Sequence, residues 1–175
     1  MTPRTITRSL AAVFTISAAL LMSGATEPAV KVAPMDSVGP RPVEMQTQTS
    51  VVRDYLRAWE TLDSALQKNR PDLLDEYFVG AAKEKLKDTI REQQSLGIKT
   101  AYGNQSHDLQ VVFYSPEGLS IQIVDNAGYE AEVRDHDKVV GTQQVRTRYV
   151  AVLTPTESKW KVRVFQGGVS SPPQQ

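Results

Sequence analysis

With 175 residues, 20 basic and 20 acidic side chains and no cysteine, the chain has the length of one domain and no net charge. The lack of cysteine excludes disulfides, thiolate metal sites, a thiol nucleophile and a lipid-modified cysteine beside an export cleavage site. A chain without a basic excess lacks the electrostatic footprint of a nucleic-acid-binding protein, so we expect no nucleic-acid partner.

Residues 1–25 have the three parts of a secretory signal. Two arginines and no acid precede the apolar residues 10–22 (LAAVFTISAALLM), and the small residues 23–25 (SGA) suit cleavage. The apolar run is shorter than the roughly 20 residues of a typical membrane-spanning helix. We therefore expect cleavage after Ala25, with a retained N-terminal membrane anchor as the alternative. Both predict an exported protein, periplasmic or secreted.

The segments on either side of the expected domain are rich in proline or polar residues. Residues 26–47 contain four prolines and no lasting hydrophobic period, which predicts a disordered linker. The tail over residues 167–175 (GGVSSPPQQ) is predicted to be disordered as well. The folded domain is therefore expected to span residues 48–166.

Hydrophobic periodicity predicts three helices in the first half of the domain. Residues 49–69 repeat apolar side chains every three or four positions, and Thr49 or Ser50 could cap the start. A short second helix is predicted over residues 72–78. A third is predicted over residues 81–96, followed by a glycine that suits a left-handed C-cap.

After Gly97 the hydrophobic period changes from 3.6 to 2, which is typical of strands. We expect the core to receive Leu109, Val111 and Phe113 from the first run, and Leu119, Ile121 and Ile123 from the second. Further runs cover residues 130–134, 145–153 and 160–164, with hairpin loops over residues 135–141 and 154–158. Helices followed by antiparallel strands predict an α+β fold, with the helices packed on one face of a curved sheet.

This order of elements resembles the NTF2-like superfamily. The resemblance rests on a long first helix containing YLRAWETL, two further helices and a meander ending in a WKV strand. The C-terminal half (EAEVRDHD, then VRTRYVAVLTPTESKWKVRVF) is similar to the branch with the Tim44-like domains and the intermembrane-space domain of plastid division proteins. The resemblance covers residues 48–166. It implies a cone-shaped, cystatin/NTF2-like sheet with a helix across its mouth, and a homodimer through the open sheet.

Two groups of residues are candidates for binding. Aromatic side chains could line a pocket for a small apolar ligand or could form plain core; they are Tyr55, Trp59, Tyr149 and Trp160. Arginines could form a basic strip on the exposed sheet face, suited to acidic residues of a protein partner; they are Arg146, Arg148 and Arg163. The alternative for the strip is cross-strand pairing with Glu130 and Glu132.

An enzyme of the superfamily would need a carboxylate beside hydroxyl donors in the cone. The candidate acids are Glu130, Glu132 and Asp63, and the candidate hydroxyls belong to Tyr55, Tyr114 and Tyr149. Two strand glutamates are, however, typical of a solvent-facing edge. We read His107 as opening a strand and His136 as part of a loop, which favours neither a metal site nor catalysis.

The sequence therefore predicts an exported, non-catalytic domain that acts near a membrane through a protein partner or a small apolar ligand, without metal or cofactor. The alternative is a small cofactor-independent isomerase or hydratase with a pocket carboxylate and a tyrosine. The sequence contains no glycine-rich phosphate loop, nucleophile elbow or zinc-binding helix motif.

Overall fold

The computed structural model describes residues 27–35, 39–136 and 138–168. In chain order these residues form β1 (Ala29–Val32), α1 (Met45–Lys68), a 3-10 helix (Pro71–Glu76), α2 (Gly80–Leu96), β2 (Ile98–Tyr114), β3 (Ile121–Asp135), β4 (Lys138–Pro155) and β5 (Trp160–Gly167). The predicted signal or anchor lies outside the described residues. Neither helix within them has the length and apolarity that crossing a bilayer would require.

The strands form one sheet in the order β1-β2-β3-β4-β5. Strands β2 to β5 are an antiparallel meander, and β1 joins the edge of β2 in parallel. Helix α1 packs on β2 and β5, and α2 packs mainly on β5. The predicted α+β fold, with helices on one face of a curved sheet, is confirmed.

Helix α1 buries one continuous stripe of side chains against the sheet: Val51, Asp54, Tyr55, Ala58, Trp59, Leu62, Ala65 and Leu66. It ends at Asn69, whose left-handed backbone lets the following amide bond back to the last turn. The helix begins at Met45, one turn before the predicted cap, and Glu44 makes no capping hydrogen bond through its side chain. The side chains of the first turn (MQTQ) are exposed or half-buried, so the hydrophobic period does not extend to these residues and could not predict that they are helical.

The prediction of a disordered linker over residues 26–47 was wrong for most of the segment. Strand β1 pairs with residues 106–109 of β2, and the Ala33 amide donates a hydrogen bond to the Leu109 carbonyl at 2.8 Å. Met35 is only 2% exposed and belongs to the core. All four residues of β1 are exposed, so the strand is held mainly by backbone hydrogen bonds. For the same reason its sequence shows no alternation of buried apolar and exposed polar side chains.

The observed core differs from the predicted one in β2 and just before β3. A β-bulge between Val111 and Phe113 changes which side chains point inward, so Tyr114 is buried while Phe113 is 39% exposed. Leu119 lies in the turn before β3 and is also exposed. The runs predicted over residues 119–123 and 130–134 belong to one long strand, because β3 continues without a turn.

The ends of the later strands also differ from the prediction. Gly167 is the last residue of β5 rather than the start of a tail, and the Gly168 amide donates to the Arg148 carbonyl at 2.9 Å. Residues 169–175 lie outside the described part of the chain. The hairpin loop predicted over residues 135–141 is shorter, since β4 already begins at Lys138.

Candidate functional site

The sheet has two faces with different side chains. We call the face against α1 the inner face and the opposite one the outer face. Directly paired residues share a face because side chains alternate along each strand. One inner row across β2, β3 and β4 is His107–Ala127–Thr147. The outer rows beside it are Ser106–Gly128–Arg146 and Asp108–Asn126–Arg148.

Aromatic rings fill the space between α1 and the inner face. Trp59, from α1, lies at the centre, with its ring centroid 5.0–6.2 Å from the rings of five neighbours. We call these rings the aromatic cluster: Trp59, Tyr102, His107, Tyr129, Tyr149 and Phe165. Tyr149 stacks on Phe165 at 4.7 Å, and the hydroxyls of Tyr129 and Tyr149 are hydrogen-bonded at 2.9 Å.

Of the four aromatic residues predicted to bind a ligand, three lie close together. Trp59 and Tyr149 belong to the aromatic cluster, and Tyr55 lies one helical turn before Trp59 and is fully buried. Trp160 lies apart, with its ring 6.4 Å from that of Tyr114. Its amide donates to the buried carboxylate of Asp54 at 2.8 Å, so it joins the start of β5 to α1.

A polar group is buried beside the aromatic cluster. The Asp125 Oδ2 atom accepts a hydrogen bond from the Tyr55 hydroxyl at 2.9 Å and lies 2.8 Å from His107 Nδ1. Tyr55 and Asp125 are 0% exposed and His107 is 3% exposed. We call these three residues the buried trio. Since buried charges are tolerated only when they are hydrogen-bonded or paired, the two contacts account for a carboxylate in this apolar space.

Burial raises the pKa of the Tyr55 hydroxyl well above its usual value, and the nearby Asp125 carboxylate raises it further. Burial likewise raises the pKa values of Tyr102 and Tyr149, helped by the neighbouring Tyr129. Tyr55 therefore acts as a hydrogen-bond donor over the whole physiological pH range.

Three polar atoms in this region have no hydrogen-bond partner among the described residues: Trp59 Nε1, His107 Nε2 and Asp125 Oδ1. The Trp59 indole lies close to the Tyr55 hydroxyl but outside hydrogen-bonding geometry. A buried polar group without a partner costs about 1–3 kcal/mol. The inner face therefore holds more hydrogen-bonding capacity than the trio itself uses.

Sequence reasoning missed Asp125 and misread His107. His107 lies in the middle of β2 rather than at its start. Asp125 continues the alternation of Ile121 and Ile123 on the inner face, and Ala127 follows it. An acid at an inward position of an apolar strand face was the available signal, and extending the alternation past Ile123 would have found it.

The acids proposed for catalysis lie elsewhere. Glu130 is on the outer face, where Gln144 donates to its carboxylate at 2.6 Å. Glu132 shares that face and is paired with Arg134. Asp63 accepts from the Tyr102 amide at 2.7 Å and from Gln67 at 2.8 Å, so it fastens α1 to β2. These contacts are structural, and they leave Asp125 as the candidate acid, since its carboxylate contacts a ring atom of the aromatic cluster at His107.

A groove of about 590 Å³ opens on the outer face. We call it the outer groove; it is lined by Ser106, Asp108, Asn126, Ala127, Gly128, Arg146, Thr147 and Arg148. Gly128 contributes no side chain, and a Cβ there would lie 2.8 Å from Ser106 Oγ. The absence of a side chain at this position keeps the floor of the groove low.

The arginines predicted to form a basic strip are only partly together. Arg146 and Arg148 both line the outer groove and are exposed. Arg163 is at a bulge of β5, near Gly80 of α2, and does not join them. The strand register places Gly128 and Asn126 opposite the two groove arginines, so the predicted cross-strand partners Glu130 and Glu132 are not directly opposite.

No group of three or more side chains within the described residues is arranged to hold a metal ion. His107 is paired with a single carboxylate in the core. His136 lies in an exposed turn with a left-handed backbone, where its Nδ1 is 2.7 Å from Asp135. The two histidines therefore lie in separate environments.

Two solved structures share this architecture. The intermembrane-space region of the chloroplast protein ARC6 is similar with 17% identity and a TM-score of 0.57, over 75% of this chain and 100% of that chain. A scytalone dehydratase-like protein from Novosphingobium aromaticivorans is similar with 16% identity and a TM-score of 0.51, over 72% of this chain and 89% of that chain. No family model and no curated protein matches the sequence. Similarity at such identity shows the fold alone, and that fold is NTF2-like.

Proposed function

We propose that this protein is an exported, non-catalytic domain that binds a protein partner through the outer groove. The observation that carries the proposal is the contrast between the faces of the sheet. Trp59 and the rings around it occupy the inside of the cone, whereas a groove with two arginines opens on the outside.

The packing of the interior argues against the cone as a binding pocket. Protein interiors are close-packed and hold few voids larger than a water molecule. Each member of the buried trio is at most 3% exposed. A small apolar ligand would have to displace Trp59 or its neighbours. We therefore favour a protein partner over a small ligand inside the cone.

The outer groove has the features of a recognition surface. Its volume of about 590 Å³ lies within the range of about 300–1,000 Å³ that is typical of binding sites. Its walls carry hydroxyl, amide, carboxylate and guanidinium groups, which can fix the orientation of a partner. Arginine is also enriched in protein–protein interfaces.

Export is the part of the proposal that rests on residues 1–25. Strand β1 starts at Ala29, only a few residues after the expected cleavage site at Ala25. If the segment is retained as an anchor, the domain lies beside the membrane rather than at the end of a flexible linker. The intact mass of the native protein decides between the two forms, since a mature start at Thr26 means cleavage and a retained Met1 means an anchor.

The partner-binding proposal is tested by site-specific photo-crosslinking in cells. A benzoylphenylalanine at the exposed Asn126 position, inside the outer groove, should give one defined crosslinked product. The same group at Lys85, exposed on α2, is the matched control and should not give it.

The crosslinked protein is then purified and titrated against the wild-type chain and the Arg148→Glu variant. We expect saturable binding that the variant weakens at least tenfold, which corresponds to about 1.4 kcal/mol. Equal crosslinking from both positions, or binding that is indifferent to Arg148, would contradict the proposal.

A second candidate function is favoured by the buried trio. A carboxylate in an apolar space beside a tyrosine hydroxyl is the arrangement that proton-transfer enzymes use, and Asp125 with Tyr55 provides it. In this reading His107 orients the carboxylate. The rings around Trp59 would have to move for substrate to enter, which is why we rank this function second.

The second candidate predicts exchange of solvent deuterium into carbon acids, observed by NMR over a panel of small cyclic ketones. Wild type should catalyse the exchange, and Asp125→Asn should lower it at least a hundredfold while remaining folded, since removal of a general base typically costs 10²–10⁴-fold. No exchange above the Asp108→Asn control and buffer would dismiss this candidate.

A homodimer through the sheet remains a prediction. Contact between two outer faces would bring Arg146 and Arg148 of each copy near those of the other, which costs free energy unless acids intervene. Light scattering at increasing concentration measures this directly, and a monomer at tens of micromolar (roughly, on the affinity scale of weak dimers) would count against it.

A further inference from the structure

We infer that the partner presents an extended segment with acidic side chains at alternate positions, and that Lys31 of β1 forms part of the surface that binds it. This inference rests on the proposed function, since it names the chemistry of the partner at the same outer groove. It follows from three features of the surface: its basic groups, their spacing and its open floor.

The N-terminal strand adds a third basic residue to the surface around the outer groove. Lys31 is paired with Asp108, Asp108 with Asn126, and Asn126 with Arg148. The four residues therefore form one row across four strands, with a span of about 14 Å at about 4.8 Å per strand. Because the segment carrying Lys31 was expected to be disordered, the sequence did not place this charge beside the groove.

The charges along this face favour an acidic partner. Lys31, Arg146 and Arg148 are all exposed, and Asp108 is the one acid that lines the groove. Among residues 27–35, 39–136 and 138–168, no carboxylate lies within 4 Å of the Lys31 amine or the Arg148 guanidinium. Glu130, the next acid on this face of β3, is engaged by Gln144. With the charge of Glu130 counted, three cations face two carboxylates here, so the local charge is positive although the whole chain is neutral.

The spacing of the arginines points to an extended segment. Arg146 and Arg148 are two residues apart on β4, so they project from the same face at a separation of about 6.6–6.8 Å. Alternate side chains of any extended chain have the same separation. A segment along β4 with a glutamate at every second position can therefore place one carboxylate on the Arg148 guanidinium, through the paired hydrogen bonds that arginine forms with carboxylates, and the next one near the positive charge of Arg146.

The floor of the groove can accept a backbone. Gly128 has no side chain, and the Ser106 hydroxyl donates a hydrogen bond to the Gly128 carbonyl at 3.3 Å. Asn126 offers amide donors and acceptors to a passing peptide bond. Asp108, on β2 between Lys31 and Asn126, would repel a carboxylate at that point, so the acidic side chains are expected over β4 rather than over β2.

The test is fluorescence anisotropy of the full chain with a labelled peptide of alternating serine and glutamate at low ionic strength. A peptide of the same composition, with the serines and glutamates in two blocks, is the matched control. We expect saturable binding of the alternating peptide and at least fivefold weaker binding of the block peptide. Added salt should weaken both.

Charge-reversed variants identify the surface. Arg148→Glu should weaken the alternating peptide about tenfold or more, and Lys31→Glu about three- to fivefold, as charge reversals do at interface centre and rim. Lys85→Glu, an exposed cation on α2, should leave binding unchanged. Lys31→Gln removes the positive charge without adding a negative one, so its affinity for the alternating peptide should lie between those of wild type and Lys31→Glu.

Three results would overturn the inference. They are no saturable binding of the alternating peptide, equally tight binding of the block peptide, or a loss of affinity in Lys85→Glu as large as that in Arg148→Glu. Tighter binding of heparin or of vesicles with anionic lipid would assign the surface to a polyanion instead. If the peptide does not bind but the protein crosslinked at Asn126 binds and depends on Arg148, the proposed function stands and this inference alone fails. If neither the peptide nor the crosslinked protein binds in an Arg148-dependent way, the proposed function and this inference both fail.

Discussion

Adjacent residues on β3 show how differently the two faces of the sheet use polar side chains. Asp125 points inward, is 0% exposed and is held by Tyr55 and His107. Asn126 points outward, is exposed and lines the outer groove. The pair shows that Asp125, inside the cone, is fixed by its neighbours, whereas Asn126, outside it, faces solvent.

The same contrast holds for aromatic and basic groups. The aromatic cluster on the inner face has ring contacts of 4.5–6.2 Å, and the hydroxyls of Tyr129 and Tyr149 are hydrogen-bonded to each other. On the outer face, Arg146 and Arg148 line an open groove. Substitutions inside should therefore change stability, and substitutions outside should change binding.

The largest effect is expected from Asp125→Ala. It would leave the Tyr55 hydroxyl and the His107 ring without their shared partner, and breaking such a buried pair costs about 3–5 kcal/mol. Asp108→Ala, on the outer face of the neighbouring strand, should change the free energy of unfolding by less than about 0.5 kcal/mol. Urea unfolding measures both, and similar losses in the two variants would erase the distinction between the faces.

The next largest effect is expected from Met35→Ala, which tests whether the segment with β1 is part of the core. Met35 is 2% exposed, so its truncation should cost about 2–3 kcal/mol. Met45→Ala is the control, because Met45 is 82% exposed and should tolerate the change. Equal unfolding midpoints for both variants would mean that the N-terminal segment is not packed as described.

A third prediction concerns alkaline pH. Burial raises the pKa values of Tyr55, Tyr102 and Tyr149, so their neutral forms stabilise the folded state. This stabilisation is fully present below the unfolded tyrosine pKa of about 10 and is lost as the pH rises above it. Ultraviolet titration should show at least three of the six tyrosines ionising only as the protein unfolds. Ionisation of all six near pH 10 without unfolding would show an open interior.

The smallest effect on stability is expected from Gly128→Ala. The added Cβ would lie 2.8 Å from the movable Ser106 hydroxyl and in ordinary contact, at 3.9 Å, with Arg146 and Val145; since the backbone there is not left-handed, stability should change by less than about 1 kcal/mol. The methyl group would raise the groove floor, and the alternating peptide should bind several-fold more weakly. Gly141→Ala, where a Cβ meets nothing within 4 Å, is the control and should bind as wild type does.

The sequence predicted those parts of the fold that repeat a hydrophobic period over several turns or residues. Helix α1, the end of α2 at Gly97 and the alternation of Ile121 and Ile123 are examples. Strand β1 could not be predicted this way, because it is short, fully exposed and paired with a strand far along the chain. The bulge after Val111 has no composition signal either, so Phe113 was assigned to the wrong face.

The candidate site was predictable only in part, for a related reason. Arg146 and Arg148 were placed on one strand face from their spacing, and the structure adds the groove between them. Asp125 was overlooked because acids usually face solvent, and its role depends on Tyr55 and His107 from two other elements. Lys31 was missed with the strand that carries it. Residues that meet only because distant segments fold together show no pattern in the nearby sequence.

The central claim is that this protein binds on the outer face while the inside of its cone remains packed. The most direct test is the amide and indole NMR spectrum of the isotope-labelled chain during titration with the alternating serine–glutamate peptide. We expect shifts of the amide signals at Lys31, Asn126, Gly128 and Arg148, with the Trp59 indole signal unchanged. Shifts of the Trp59 indole and of Tyr55 without changes on the outer face, or no shifts at all, would contradict it.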